Sequence, residues 1–246
     1  MLNYIKADIL RVLTRVRRWI ILGIILLLIG ALSIQSPDSH ATGVSNLENL
    51  ETTLQAMPLI IGYIEILYVF GDDFKGKTAQ IAIGMGVKRR EVVLSKWIEV
   101  VILAFLDTFA AALVAIVVTA FSPAPIPLEL YGELIIQCLI CVLSVAGYMA
   151  LVLPILFAAQ GTTVAMLIYM LLSSKLMHKL FELLGKIKEL SPLHLSNYTL
   201  TNCLNVLRSR LLLGSMHFES LAGIVIYLSV FVTMAVFIYR KLELEF

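Results

Sequence analysis

The strongest constraint in this sequence is a stretch of 41 residues, Leu134 to Ser174, that contains no Asp, Glu, Lys or Arg. As one helix rising about 1.5 Å per residue it would measure roughly 61 Å, against the ~30 Å hydrocarbon thickness of a bilayer. The stretch must therefore fold back on itself as two spans. Pro154 divides it evenly, but Gln160, Gly161 and Thr162 read as a turn followed by a fresh helix start. The break is expected between residues 155 and 163, with Pro154 as a kink near the end of the first of the two spans. Composition agrees: 60% of the 246 residues are hydrophobic and 15% charged, where a soluble domain has roughly half and a quarter. An excess of that size cannot be buried in one water-soluble core.

Four other runs have span character. Trp19 to Pro37 is uncharged over 19 residues, and Ser220 to Tyr239 over 20. Thr52 to Gly71 is interrupted only by Glu65, and Val100 to Leu128 only by Asp107. The expected fold is an all-α integral membrane protein, one transmembrane domain over 1–246 with six transmembrane helices. The spans are placed at 19–36, 53–71, 98–122, 132–157, 161–176 and 219–239. No A-x-A cleavage site follows the first span, so it is read as a retained helix rather than a signal peptide; an uncleaved targeting helix remains compatible. The charge balance, 19 basic against 17 acidic residues, lacks the basic excess of a nucleic-acid binder. Three cysteines make no disulfide framework.

Lys and Arg set the orientation. They occur at Lys6, Arg11, Arg15, Arg17 and Arg18, again through residues 72–97, and at Arg240 and Lys241, but not in 36–55 or 122–132. Both termini are thus expected in the cytoplasm, with the tail at 240–246. The segment 177–218 disagrees: it lies outside in this topology, yet it is preceded by Lys175 and holds Lys179, Lys186, Lys188, Arg208 and Arg210. Its charges sit on helical patterns that can fold as a unit. Leu176, Leu180, Leu183, Leu184 and Ile187 form one stripe up to Ser191-Pro192. Leu200, Leu204, Leu207 and Leu211 form a second, ending at Gly214. The pair is expected to lie on the outer surface or dip into it. Asn197-Tyr198-Thr199 reads as the start of the second helix rather than a glycosylation site.

Residues 1–18 carry an apolar stripe, Leu2, Ile5, Ile9, Val12, Leu13 and Val16, with Lys6, Arg11, Arg15 and Arg18 over much of the remainder. This pattern suits an amphipathic helix in the membrane interface, with basic groups among lipid head groups. A plain topology-setting arm would not need the stripe.

The segment 72–97 is too long for a simple connector. Gly71 to Thr78 reads G-x-x-x-x-G-K-T, a formal match to a phosphate-binding loop, but that loop works between a strand and a helix in a soluble α/β domain, for which the chain has no room. The segment instead reads as a short helix, Thr78 to Ile83, a turn at Gly84 and Gly86, and a basic return to the membrane.

Asp72 and Asp73, then Gly76, Lys77 and Thr78, the short helix, the glycine turn, Arg89-Arg90 and Lys96 resemble the membrane subunits of type II ATP-binding-cassette (ABC) exporters. The six spans and helical outer loop fit the same family over the whole chain. The resemblance implies that Lys75 to Gly86 is the coupling helix, contacting a separately encoded ABC ATPase through Lys75, Gly76, Lys77, Thr78, Ile81, Ile83 and Met85. It implies a multi-pass protein of the bacterial plasma membrane, surrounded by lipid and paired with a second permease copy or a related subunit. No cofactor is expected on this chain; ATP and Mg belong to the partner. The chain itself is not expected to be an enzyme.

Within the spans, Glu65 and Asp107 either line or brace a transport pathway or satisfy each other with at least one carboxyl protonated, because an intramembrane charge usually faces protein or water. Cys138 and Cys141 form a C-x-x-C that lacks the further ligands of a tetrahedral zinc site. Histidines occur only in the expected outer loops, and H-E-x-x-H and G-x-S-x-G are both missing, which argues against intramembrane hydrolases. The function expected is export of a hydrophobic or amphipathic cargo, such as a bacteriocin, a toxin-like peptide or a drug. The alternative is a non-transporting scaffold or immunity protein, for which the long segment 72–97 has no evident use.

Overall fold

The computed structural model describes residues 2–33, 43–121, 127, 131–174, 176–185, 197 and 199–241. Every regular element among them is helical. The order is α1 (Leu2–Leu13), α2 (Val16–Ser33), α3 (Gly43–Glu65), a π-helical segment (Ile66–Phe70), α4 (Gly71–Gly76), α5 (Thr78–Gly84), α6 (Arg89–Ala120), α7 (Tyr131–Ala159), α8 (Thr162–Ser173), α9 (Leu176–Gly185), α10 (Leu200–Leu212) and α11 (Phe218–Lys241). Among the described residues, four continuous helical stretches are long and apolar enough to cross a bilayer: Leu50–Gly76, Arg89–Ala120, Tyr131–Ala159 and Phe218–Lys241. The end of the expected first span beyond Ser33, most of the loop after Phe121, the Ser191-Pro192 stop and the tail after Lys241 lie outside the described residues.

α7 is the central pillar. It packs against α3, α6, α8, α10 and α11, and from Ser144 to Ala150 every residue is buried. Near the far end of α7, Phe157 meets Phe70 and Phe74 edge-on, with ring centroids 6.1 and 6.4 Å away, and Tyr239 of α11 at 4.6 Å. Pro154 stays inside α7. The helix ends where Gln160 takes a left-handed conformation (φ 47°), and α8 starts after extended Gly161.

At 12 residues, α8 rises only about 18 Å, short of the ~30 Å apolar thickness. α10 continues its course along α7. Tyr169 of α8 packs its ring against Tyr148 of α7, and the Tyr148 hydroxyl is 3.0 Å from Thr201 Oγ1 at the start of α10. α10 then follows α7 toward its N-terminal end, where Arg208 pairs with Glu51 of α3. Leu200, Leu204 and Leu207 are buried, so the second leucine stripe is a packed part of the bundle rather than a cover on its surface. Thr199 caps α10 by accepting from Asn202 N–H at 3.2 Å.

Two glycines allow close helix contact. A Cβ on Gly62 would lie 1.9 Å from the Tyr169 hydroxyl, which donates to the Pro58 carbonyl at 2.6 Å. A Cβ on Gly147 would lie 2.6 Å from a Leu200 methyl.

Candidate functional site

The segment between α3 and α6 is shaped by three local features. The π-helical turn follows Glu65 directly. Asp73 lies eight positions beyond Glu65, about 2.2 turns of a regular α-helix; the wider π turn takes up the surplus, and both carboxylates reach charged partners beside α6. Lys77 then adopts φ 51°, ending α4 and re-aiming α5. Gly86 at φ 95° turns the chain toward α6, a conformation that glycine adopts without a Cβ penalty.

Asp73 is the centre of an inner cluster. Its carboxylate accepts from Arg11 Nη2 at 2.7 Å and from the Thr78 hydroxyl, and it pairs with the Lys96 ammonium. Lys96, 1% exposed, also pairs with Asp8 and, at 3.3 Å, with Glu99. Arg11 bridges Asp8 at 2.7 Å, and the Tyr4 ring lies 5.9 Å from the Lys96 nitrogen. Helices α1, α4 and α6 are thereby joined through charge, and α5 through the Thr78 hydroxyl. Burial raises the Tyr4 phenol above its ordinary value, outweighing the opposing pull of Lys96. Burial acts to lower the Arg11 guanidinium, but Asp73 and Asp8 more than offset it, so Arg11 is raised.

A second cluster lies among the long helices. Arg18 Nη2 donates to both Asp107 oxygens at 2.8 Å and to Glu65 at 3.1 Å. No side chain of this triad is more than 3% exposed. The assignment of Arg18 to the head-group face of an N-terminal helix needs correction. The chain breaks at Thr14-Arg15, α2 begins at Val16, and Arg18 in its first turn is aimed between α3 and α6. Two buried carboxylates need a cation there, and the opposite burial of Trp19, 51% exposed, shows which face turned outward.

The residues singled out from sequence are divided between sites. Asp73, Thr78 and Lys96 meet in the inner cluster; Glu65 and Asp107 meet through Arg18. Lys75, Gly76 and Lys77 are exposed. On α5, Ala79 and Ala82 are buried, Ile81 is 52% exposed and Met85, just past its end, 81% exposed, whereas Ile83 packs against the core. Arg89 donates to the carbonyls of Tyr239 and Arg240 at 3.2 and 3.1 Å, closing the end of α11, and Arg90 is exposed. Asp72 lies in α4, and its side chain is outside the described residues.

Within Gly71–Thr78, helix α4 follows a π turn and ends at Gly76, Lys77 is left-handed, and Thr78 opens α5. Its threonine hydroxyl is engaged by Asp73 within the chain. Cys141 is buried with its sulfur 3.6 Å from Thr108 Oγ1, and Cys138 is half-buried. A cavity of about 40 Å³ lies where α8 meets α10, lined by Gln55, Gln137, Ser144, Tyr148, Ser173 and Thr201 among others. Its polar lining and size suit ordered water.

Several participants were not singled out from sequence: Tyr4, Asp8 and Glu99 in the inner cluster, and Arg18 in the triad. Asp8 had a readable signal. It falls between Ile5 and Val12 at helical spacing, inside the apolar stripe, and so has to be buried with a partner.

Long apolar helices around buried charges that are paired with one another define a multi-pass membrane protein. The chain belongs to the ABC-2 family: the family described as ABC-2 family transporter protein matches residues 5–237. The resemblance carried by Asp72 through Lys96 thus holds at the level of the family. The chain is an ABC permease subunit, the transmembrane component rather than the ATPase, and the family implies an ABC ATPase as partner. Comparison with curated proteins gives no match.

Proposed function

We propose that this chain is the permease half of an exporter, moving a hydrophobic or amphipathic cargo out of the cell on ATP and Mg bound by a separate ATPase subunit. A peptide of the bacteriocin or toxin type is the cargo class that suits a small permease, and a drug-like molecule shares its chemistry. The functional unit contains two permeases, identical or related. Six crossings place both termini in the cytoplasm; α8 and α10, about 18 and 20 Å long, together supply the fifth. α1 rests in the inner interface.

The observation that carries this reading is the exposed apolar pair of Ile81 on the short helix α5 and Met85 just past its end, with the other face of the helix anchored. An isolated loop tip gains nothing by presenting a 52% exposed Ile and an 81% exposed Met to water; a groove on the ATPase would bury both. Movement of α5 would pass through Thr78 and Asp73 to α1 and α6. Phe74, Phe70 and Phe157 would carry it to α7, and Tyr239 to α11. Both routes are contiguous networks of packed side chains and ion pairs between the ATPase-facing helix and the spans.

Ile81→Glu tests this coupling role. A carboxylate in the centre of an apolar contact is left buried and unpaired, at a cost of several kcal/mol. The expected outcome is loss of ATPase co-purification or of transport-coupled ATP turnover, with thermal stability of the permease unchanged. Leu213→Glu, an equal change at an exposed residue of the opposite end, is the control. Association and turnover at control levels in Ile81→Glu would remove α5 as the coupling element and favour the scaffold alternative.

A further inference from the structure

An open cavity of about 610 Å³ lies where the α5–α6 turn meets the end of α11. Among the described residues its lining is Ile83, Gly86, Val87, Lys88, Arg89, Arg90 and Arg240, with four cations and no carboxylate. Lys88, Arg90 and Arg240 are exposed, whereas Arg89 is held by the last carbonyls of α11. The N-terminus of α6, a helix of 32 residues, opens beside it with extended Lys88 at the cap position and no side chain capping the first turn. The uncapped amides and dipole of such a terminus favour a negative group, and the basic side chains converge on the same place.

We propose that this cavity binds the phosphate-bearing head group of an anionic phospholipid. The choice of a lipid over a soluble anion comes from what surrounds the cavity. α11 is the most peripheral of the four long apolar helices, with 17% of its apolar window buried against 72% for α7. Its last turns expose Met234 and Phe237 at 49% and 56%, and Lys241 folds back over the Phe237 ring at 4.4 Å. A lysine laid along an aromatic at a helix end is the arrangement of a side chain at the membrane surface. Acyl chains would lie along Met234 and Phe237 while the phosphate sits among Lys88, Arg90 and Arg240. The cavity borders the coupling segment at Ile83 and Gly86, but the groups that would hold the phosphate, Lys88, Arg90 and Arg240, lie outside that segment. A lipid held there would tie the start of α6 to the end of α11, supplementing the Arg89 bond.

The test uses the full chain in nanodiscs of phosphatidylcholine alone or mixed with phosphatidylglycerol, with bound lipid read by native mass spectrometry. The variant is Lys88→Gln, Arg90→Gln and Arg240→Gln combined; Arg89 is kept because it closes α11. Each cation near an anionic surface strengthens binding roughly fivefold, so phosphatidylglycerol retention should weaken about a hundredfold. The charge-conserving set Lys88→Arg, Arg90→Lys and Arg240→Lys should restore it, separating a binding defect from a folding defect. Equal retention by wild type and the Gln variant would overturn the proposal. So would displacement of the lipid by inorganic phosphate at matched concentration, which would identify a site for free phosphate. Loss of the ATPase subunit from the Gln variant in pure phosphatidylcholine would also overturn it, since the patch would then be a protein contact.

Discussion

The two ionic clusters have the same formal charge and different surroundings. Arg18 with Glu65 and Asp107 leaves one surplus acid (+1 − 2 = −1). Arg11 and Lys96 with Asp8, Asp73 and Glu99 do so as well (+2 − 3 = −1). Both tie the N-terminal helices to α6 by way of the α3–α4 stretch. The triad, however, is shut off from water on every side, whereas the inner cluster runs from Lys96 at 1% to Arg11 at 25% exposed. Charge count is therefore a poor guide to what such a cluster does; solvent access decides it. A dry triad holds a fixed register, because breaking any bond strands a charge in a medium that cannot solvate it. The graded cluster can exchange partners, since Asp73 has three donors and its neighbour Arg11 reaches solvent. That is the property that the coupling role proposed for α5 requires of the residues that form the joint beside it.

The largest effect expected is at the triad. Arg18→Met leaves Glu65 and Asp107 facing each other without a cation, and removal of one partner from a buried ion pair costs about 3–5 kcal/mol. Thermal unfolding in detergent should show this loss. Adding Glu65→Gln and Asp107→Asn to Arg18→Met should recover most of it, because no charge is then left buried. A single variant as stable as wild type would mean that the triad is no pin.

Lys96→Met should come second, at about 2–3 kcal/mol. It removes a cation just as buried as Arg18, but Arg11 still neutralises Asp8 and Asp73, so only Glu99 loses its principal partner. Equal losses for Lys96→Met and Arg18→Met would erase the proposed difference between the clusters.

The all-helical membrane fold was legible because its signal is long-range and redundant: five uncharged or nearly uncharged runs each point to it. The family was legible because Asp72, Asp73, Gly76, Thr78, Arg89, Arg90 and Lys96 surround a short helix in a chain whose span pattern fits the same family. Ion-pair partners were harder to read. Glu65 and Asp107 each announce a missing cation, but nothing in a one-dimensional pattern says that Arg18 supplies it, because that depends on where α2 begins and how it is rotated. A break two residues long at Thr14-Arg15 decides the matter. Asp8 could have been caught by its place inside an apolar stripe. The course of α10 could not, since an amphipathic leucine stripe looks the same on a membrane surface and against α7. Three-dimensional contacts such as the fit of Leu200 over Gly147 distinguish the two.

The smallest effect, and the one that isolates solvent access most directly, is Arg11→Met. Arg11 and Arg18 are the same residue type seven positions apart, each bonded to two carboxylates. Arg11 is one-quarter exposed, so water already screens part of its attraction, and Lys96 remains beside Asp8 and Asp73 when it is removed. The expected loss is about 1 kcal/mol, near the upper range for partly exposed pairs. Salt then separates the cases. At about 1 M ionic strength the screening length falls to roughly 3 Å, which reaches the open side of the inner cluster but not the triad. The stability gap between wild type and Arg11→Met should therefore shrink as salt is raised, while the gap for Arg18→Met stays constant. If both gaps respond alike, burial does not distinguish the two clusters, and the assignment of one as pin and the other as joint fails.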